Sequence, residues 1–130
     1  MTTDRVKVLL VEVNQSEYLV TRDLLSRIED VAFHLEWASS YGAAMAAMAN
    51  EGHDVYLIAY RLGDLNGLDL LREARRSGRR TPAILLIEEE DRTVDFDAMN
   101  SGAADCLVKH QLSANLVERS IRYEIGRAHV

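Results

Sequence analysis

The segment that decides the fold runs from residue 54 to residue 67 and reads Asp54-Val-Tyr-Leu-Ile-Ala59-Tyr-Arg-Leu-Gly-Asp-Leu-Asn-Gly67. Its first part, Val55 to Ala59, is a continuous apolar run, which is typical of a strand covered by helices on both faces. The polar, glycine-containing stretch that follows predicts a turn, and Asn66 to Arg76 shows the amphipathic pattern of a helix. The segment therefore predicts one strand–helix unit of a parallel sheet.

The rest of the chain predicts four more strands, two before this unit and two after it. Lys7 to Val11, Ala83 to Ile87 and Cys106 to Val108 are apolar or nearly so, as buried strands would be. Phe33 to Trp37 instead alternates apolar with polar residues, which predicts a strand with one exposed face at an edge of the sheet. Pro82 is expected to open the fourth strand.

Amphipathic stretches between the strands predict five helices. They run over Ser16 to Glu29, Tyr41 to Asn50, Asn66 to Arg76, Asp91 to Asn100 and Ser113 to Arg127. Alternation of five strands and five helices predicts an α/β fold with a five-stranded, parallel, doubly wound sheet. Such a sheet has its functional crevice at the carboxyl ends of the strands, where Glu12, Ala59, Ile87 and Lys109 fall.

Composition favours one domain over residues 1–130, because 130 residues with 48% hydrophobic content suit a single core. The net charge of -6 opposes nucleic acid and anionic membrane surfaces, so neither is expected as a partner. A single cysteine excludes an internal disulfide framework, and the four histidines show no zinc spacing. The amino-terminal residues lack an apolar signal core, and a cytoplasmic protein is expected.

Four segments, in this order and at these spacings, resemble the receiver domain of two-component response regulators. Val8 to Asn14 matches the acidic turn, Asp54 to Gly67 the phosphorylation loop, Pro82 to Ile87 the switch strand, and Gly102 to Lys109 the lysine strand. The resemblance covers the whole chain. It implies the flavodoxin-like receiver fold, with strand order 2-1-3-4-5.

The resemblance also implies which groups the phosphorylation chemistry needs, and several are missing. Ala59 stands where the family has its phosphate-accepting aspartate, and an alanine methyl cannot attack phosphorus. Of the acidic pair that helps to hold magnesium, Glu12 remains and Val13 replaces the second acid. One carboxylate is a poor magnesium site, so no metal, no cofactor and no enzymatic activity are expected.

The residues that would report phosphorylation are replaced as well. Ile87 stands in place of the hydroxyl residue and Cys106 in place of the aromatic residue that responds to it. Lys109 remains, and it is expected to pair with Glu12 across the crevice. An engineered change at Ala59 alone would not explain these other losses, which favours a naturally degenerate pseudo-receiver.

The predicted function is a non-catalytic module for protein–protein interaction or dimerisation in bacterial signalling. The fourth helix, fifth strand and fifth helix form the face that receivers commonly use for dimers. The candidate interaction residues on this face are Asp95, Asp97, Arg119, Ile121, Arg122 and Ile125. The expected partner is a second copy or another protein, and a carboxyl-terminal output domain is expected to follow.

The last segment, residues 112–127, looks like the end of receivers that precede sensor or cyclic-di-nucleotide signalling domains. Two alternatives stay open for the function. One is a phosphorylation-competent receiver that uses Asp64, which lies five residues past the required position. The other is a sensor that binds a small ligand in the emptied pocket.

Overall fold

The structure, a computed structural model, describes residues 5–29, 31–50 and 52–128, with side chains up to residue 125. Five parallel strands form one sheet in the order β2-β1-β3-β4-β5. The strands are β1 (Arg5–Val11), β2 (Ala32–Ala38), β3 (Val55–Ala59), β4 (Ala83–Ile87) and β5 (Asp105–Val108). The predicted fold class and strand order are confirmed.

Five helices connect and cover the strands. They are α1 (Gln15–Ser26), α2 (Tyr41–Ala49), α3 (Gly67–Arg76), α4 (Arg92–Asn100) and α5 (Ala114–Ala128). One buried cluster joins the sheet to α2, α3 and α4, and a second joins its other face to α1 and α5. Because β3 lies in the middle of the sheet, all five of its residues are buried, as the apolar run predicted.

The observed elements differ from the predicted ones at several of their ends and in one additional ribbon. Helix α1 ends at Ser26 rather than at Glu29, because the Arg27 and Ile28 amides bond to carbonyls only three residues back and tighten the last turn. A small antiparallel ribbon, Arg61–Leu62 paired with Leu65–Asn66, fills the turn between β3 and α3 and was not predicted.

Polar side chains and one glycine position the loops at the carboxyl ends of the strands. Asn14 and Asn66 accept hydrogen bonds from backbone amides in the first turns of α1 and α3, which fixes where these helices begin. Gly67 is required by close packing, since a Cβ there would lie 2.4 Å from the Ala59 carbonyl oxygen. The Gly67 amide also donates to the Tyr60 carbonyl, at 2.7 Å. The start of α3 is thereby held directly against the end of β3.

Within the described residues, the structure contains no helix of sufficient length and hydrophobicity to cross a membrane.

Candidate functional site

The carboxyl ends of four neighbouring strands meet at one edge of the sheet, as predicted. Glu12 follows β1, Ala59 ends β3, Ile87 ends β4, and Lys109 follows β5. The candidate site is formed by these four residues and the loops that carry them.

Lys109 is held by carboxylates from three different elements. Its Nζ lies 2.7 Å from Glu12 Oε1, it also donates to Glu17 in the first turn of α1, and it lies 3.4 Å from Glu88 Oε1. The side chains of Lys109 and Glu12 are only 13% and 4% exposed. The predicted pairing of Lys109 with Glu12 is confirmed. The contributions of Glu17 and Glu88 were not predicted, because neither residue belongs to the motif that drew attention to the site.

Glu12 is fixed from its backbone as well as from its carboxylate. The Trp37 indole donates to the Glu12 carbonyl oxygen at 2.7 Å, and the Asn14 amide donates to Glu12 Oε2 at 3.2 Å. Trp37 in turn stacks on Tyr18, with ring centroids 4.1 Å apart. The loop after β1 therefore has little freedom to turn the Glu12 carboxylate toward another ligand.

Burial and the ion pairs shift the pKa values of Glu12 and Lys109 in opposite directions. Burial raises the pKa of Glu12, and the hydrogen bond and charge of Lys109 offset that rise only in part. Burial would lower the pKa of Lys109, but its hydrogen bonds to Glu12 and Glu17 outweigh this and raise it. The Lys109 ammonium therefore stays protonated and serves as an internal counter-ion.

Ala59 is enclosed by apolar neighbours. It has 0% relative exposure and lies in the buried cluster that includes Leu62, Leu68 and Ile87. The position that resembles the phosphate-accepting site is thus filled by packed hydrocarbon.

The residues present do not fit a divalent metal ion. Glu12 supplies the one carboxylate of the acidic turn, and its Oε1 is already paired with Lys109. Val13 and Ala59 contribute no side-chain oxygen. In the part of the chain that the structure describes, no group of three or more His, Cys, Asp or Glu side chains is arranged to hold a metal.

Cys106 lies on the side of β5 that faces α4 and is half-buried. Burial, with a smaller contribution from a hydrogen bond to Asp95, raises the pKa of its thiol to about 12. A thiol that stays protonated is a weak nucleophile. Cys106 therefore acts here as a small, nearly apolar side chain.

Of the residues predicted to form an interaction surface, the structure exposes only some. Asp95, Arg119 and Arg122 are exposed, and Asp97 is partly buried. Ile121 is only 2% exposed and belongs to the core beneath α5, so its assignment to the interaction surface is wrong.

Ile125 packs partly buried against the same core. The apolar stripe of α5 therefore faces the sheet and forms part of the core.

The structure instead exposes two large apolar side chains on α4 that were not predicted to matter. Phe96 is 68% exposed and Met99 is 58% exposed. Both lie out of phase with Val94 and Ala98, the residues through which α4 packs on the sheet. In the sequence, this mismatch in helical phase was the feature that could have indicated the exposure of Phe96 and Met99.

Asp64, the alternative phosphate acceptor, is exposed in the turn of the ribbon between β3 and α3. Gly63 precedes it with a φ of 67°, a left-handed conformation that glycine adopts readily. Asp64 therefore lies on a solvent-facing tip.

Comparisons with known proteins agree with this architecture. Residues 8–120 match the family described as the response regulator receiver domain. The alginate biosynthesis transcriptional regulatory protein AlgB of Pseudomonas aeruginosa is 30% identical over 103 residues, which cover 79% of this chain and 22% of that protein. The probable transcriptional regulatory protein y4xI of Sinorhizobium fredii is 28% identical over 100 residues, covering 77% and 44%. This chain thus spans less than half the length of either relative.

Solved receiver structures share the fold at low sequence identity. A response regulator receiver domain protein from Clostridium thermocellum superposes with a TM-score of 0.84 at 22% identity, covering 95% of this chain and 97% of that one. The CheY-like receiver domain protein from Methanospirillum hungatei gives 0.82 at 18% identity, covering 95% and 96%. Taken with the family match over residues 8–120, the sheet and its flanking helices show that this chain belongs to the response regulator receiver domain family.

Proposed function

We propose that this receiver domain is not phosphorylated and acts as a protein-binding module in bacterial signal transduction. The observation that carries the proposal is the internal neutralisation of the site. Ala59 lies in packed hydrocarbon, and the Lys109 ammonium is bound to Glu12 and Glu17 rather than left to bind a phosphoryl oxygen.

Loss of the reporting groups supports the same proposal. Ile87 is buried and has no polar atom with which to hydrogen-bond a phosphoryl group. Cys106 is too small to swing between a buried and an exposed position as a ring would. Binding through the face formed by α4, β5 and α5 is therefore constitutive or controlled by another ligand.

This face brings charges of both signs together. Asp95 lies on α4, and Arg119 and Arg122 lie on α5. Arg122 already pairs with Glu118 on its own helix, which reduces what it offers to a partner. Complementary charge sets the register of a contact, while apolar side chains supply most of the affinity.

The names of the relatives concern larger proteins that regulate transcription. By analogy, we place this domain within a larger regulator with a carboxyl-terminal output domain. The prediction that nucleic acid is not a partner then concerns the receiver domain alone and stays a prediction.

The test is incubation with a small acyl phosphate and magnesium, followed by intact-mass measurement. We expect no added phosphate. As a matched control, the variant with Val13→Asp, Ala59→Asp and Ile87→Thr restores the missing groups and is expected to take up some phosphate. A stoichiometric phosphate on the wild type that is lost in Asp64→Asn would contradict the proposal and favour the alternative acceptor.

A further inference from the structure

Strand β2 is the terminal strand of the sheet, and one of its edges has no neighbouring strand. It pairs with β1 over all of its residues, Ala32–Ala38, and stands last in the order β2-β1-β3-β4-β5. In the part of the chain that the structure describes, no strand lies on its other side. A free strand edge presents backbone N–H and C=O groups to any chain that can pair with it. The sheet can therefore be extended at β2.

Hydrogen bonding to the β1 side fixes which residues of β2 point outward. The Ala38 carbonyl accepts from the Glu12 amide at 3.1 Å, so the backbone of Ala38 points toward β1. Backbone groups alternate in direction along a strand, so the other even-numbered residues of β2 also point toward β1. Those of the three odd-numbered residues point to the free edge: Phe33, Leu35 and Trp37.

The side chains of β2 are arranged symmetrically about Leu35. The strand reads Ala-Phe-His-Leu-Glu-Trp-Ala, with a polar group next to Leu35 on each side and an aromatic ring two positions away on each side. In an antiparallel pair of two copies centred on Leu35, His34 of one copy lies opposite Glu36 of the other. Phe33 likewise lies opposite Trp37. Each side chain thus meets one of matching chemistry on the same face of the sheet.

The backbone directions agree with this register. Since Leu35 points outward, the two Leu35 residues form a hydrogen-bonded pair, and His34 and Glu36 form non-hydrogen-bonded pairs, in which the Cα atoms are about 4.5 Å apart and the side chains are closest. An imidazole N–H can donate to a carboxylate whether the ring is neutral or protonated. A pair centred on His34 or on Glu36 would instead place like groups opposite each other, which is unfavourable. The charges therefore select the register centred on Leu35.

The two polar groups are accessible for such a contact. His34 is exposed, and the Glu36 side chain is 49% exposed. Glu36 Oε1 lies 2.8 Å from His53 Nε2, and Oε2 is not used in this contact. A carboxylate that is already held in place loses less conformational entropy when it accepts a further hydrogen bond.

The opposite face of β2 leaves apolar surface at the same edge. Phe33, Leu35 and Trp37 are only partly buried. Phe33 and Leu35 also line a groove of about 320 Å³ beside α1, together with Ile28. Pairing of two copies would bring Phe33 against Trp37 and Leu35 against Leu35, and cross-strand pairs of aromatic and apolar side chains stabilise a sheet.

We propose that two copies of this chain associate through antiparallel pairing of their β2 strands, centred on Leu35, which joins their five-stranded sheets into one. The same strand is used by both copies, so the contact closes as a twofold dimer. Strand β2 lies at the opposite edge of the sheet from β5. The inference therefore goes beyond the proposed function and leaves the face of α4, β5 and α5 free.

The test is sedimentation of the complete chain over a concentration series. We expect a dimer with a dissociation constant of about 1 to 100 μM. His34→Glu places a glutamate opposite Glu36 twice in each dimer and should weaken association about tenfold or more. Adding Glu36→Lys to this variant restores opposite charges at both positions and should recover association to within about threefold of the wild type.

A matched control makes the same charge change elsewhere on the surface. His110→Glu alters an exposed histidine outside β2, and its dissociation constant should stay within about twofold of the wild type. Circular dichroism establishes that each variant is folded.

Disulfide cross-linking tests the register, in a Cys106→Ala background. When the His34→Cys and Glu36→Cys proteins are mixed and oxidised, we expect a mixed disulfide, because the paired Cα atoms would be about 4.5 Å apart, within the range that a disulfide spans. Either protein alone should cross-link poorly, because its two cysteines would lie diagonally, about 7 to 8 Å apart. Non-reducing electrophoresis separates the products.

Four results would overturn the inference. One is a wild type that stays monomeric well above the expected dissociation constant, and another is unchanged association of folded His34→Glu. A third is a mixed disulfide that forms no faster than the disulfides of the separate proteins. The fourth is a dimer that Arg122→Glu dissociates and His34→Glu does not, because the contact would then lie on α5.

Discussion

The loop between β4 and α4 separates two regions, of which one is buried and internally paired and the other is exposed. On one side, the Lys109 ammonium is enclosed by carboxylates and Ala59 is fully buried. On the other side, Phe96 and Met99 on α4 project into solvent. A buried charge without a counter-ion destabilises the fold, so it has to be neutralised by a neighbouring group of opposite charge. An exposed side chain on the surface carries no such cost. The first region, the closed region around Glu12, Ala59 and Lys109, thus contributes to folding. The second, the open region around Phe96 and Met99, is available for binding.

The largest effect is expected from removing the cation of the closed region. Lys109→Met leaves the buried Glu12 carboxylate without its closest counter-ion, so the free energy of unfolding should fall by about 3 to 5 kcal/mol. Urea denaturation measures the change, and Lys7→Met, at an exposed position, is the matched control.

The double variant Glu12→Gln with Lys109→Met removes both charges and should recover most of this loss. If Lys109→Met costs no more than Lys7→Met, the ion-pair cluster does not stabilise the fold, and the contrast between the two regions disappears.

Much of the fold followed from local patterns in the sequence. The apolar runs located the strands because a parallel sheet covered on both faces leaves no polar positions in its central strands. The boundaries were less certain: the turn after β3 became a ribbon, and α1 ended early through hydrogen bonds of its last turn. Such details depend on tertiary contacts that a helical or strand period does not encode.

The candidate site was predictable where a motif carried it and not elsewhere. Glu12 and Lys109 occupied motif positions, so their pairing was predicted correctly. Glu17 was not predicted, because its role depends on how α1 packs over the crevice. Ile121 was misassigned, because an apolar stripe on a terminal helix looks the same whether it covers the sheet or faces a partner.

The second prediction sharpens the boundary of the open region. Ile121→Ala should lower the free energy of unfolding by about 2 to 4 kcal/mol, because it leaves a cavity in the core beneath α5. Phe96→Ala and Met99→Ala should each change it by less than about 0.5 kcal/mol, since both residues are mostly exposed. Denaturant unfolding of the three variants gives the comparison. A large loss on truncating Phe96 would mean that α4 is part of the core and not a free surface.

The third prediction concerns the pH dependence of Lys109→Met. Burial raises the folded-state pKa of Glu12 above its usual 4.5, and loss of the ammonium raises it further. A raised pKa contributes stability that is fully present below pH 4.5 and is lost as the pH rises through the folded-state value.

The stability deficit of this variant relative to wild type should therefore shrink as the pH falls from 7 toward 4.5, by at most about 1.4 kcal/mol per pH unit. Chemical denaturation across this range measures it. Adding Glu12→Gln to both proteins should flatten the difference. A deficit that stays constant with pH would show that Glu12 is not the group left unpaired.

The smallest effect is expected from magnesium. A ligand that binds the native state stabilises it in proportion to occupancy, so an absent site should leave the melting temperature within about 1 °C at millimolar magnesium. The reason lies in the closed region, where Glu12 is paired with Lys109 and the ammonium itself repels a second cation. Val13→Asp with Ala59→Asp is the matched comparison, because it adds two carboxylates and should restore a measurable shift. A saturable rise of several degrees in the wild type, abolished by Glu12→Gln, would show that the ion pair opens to admit the metal and that this region is not closed.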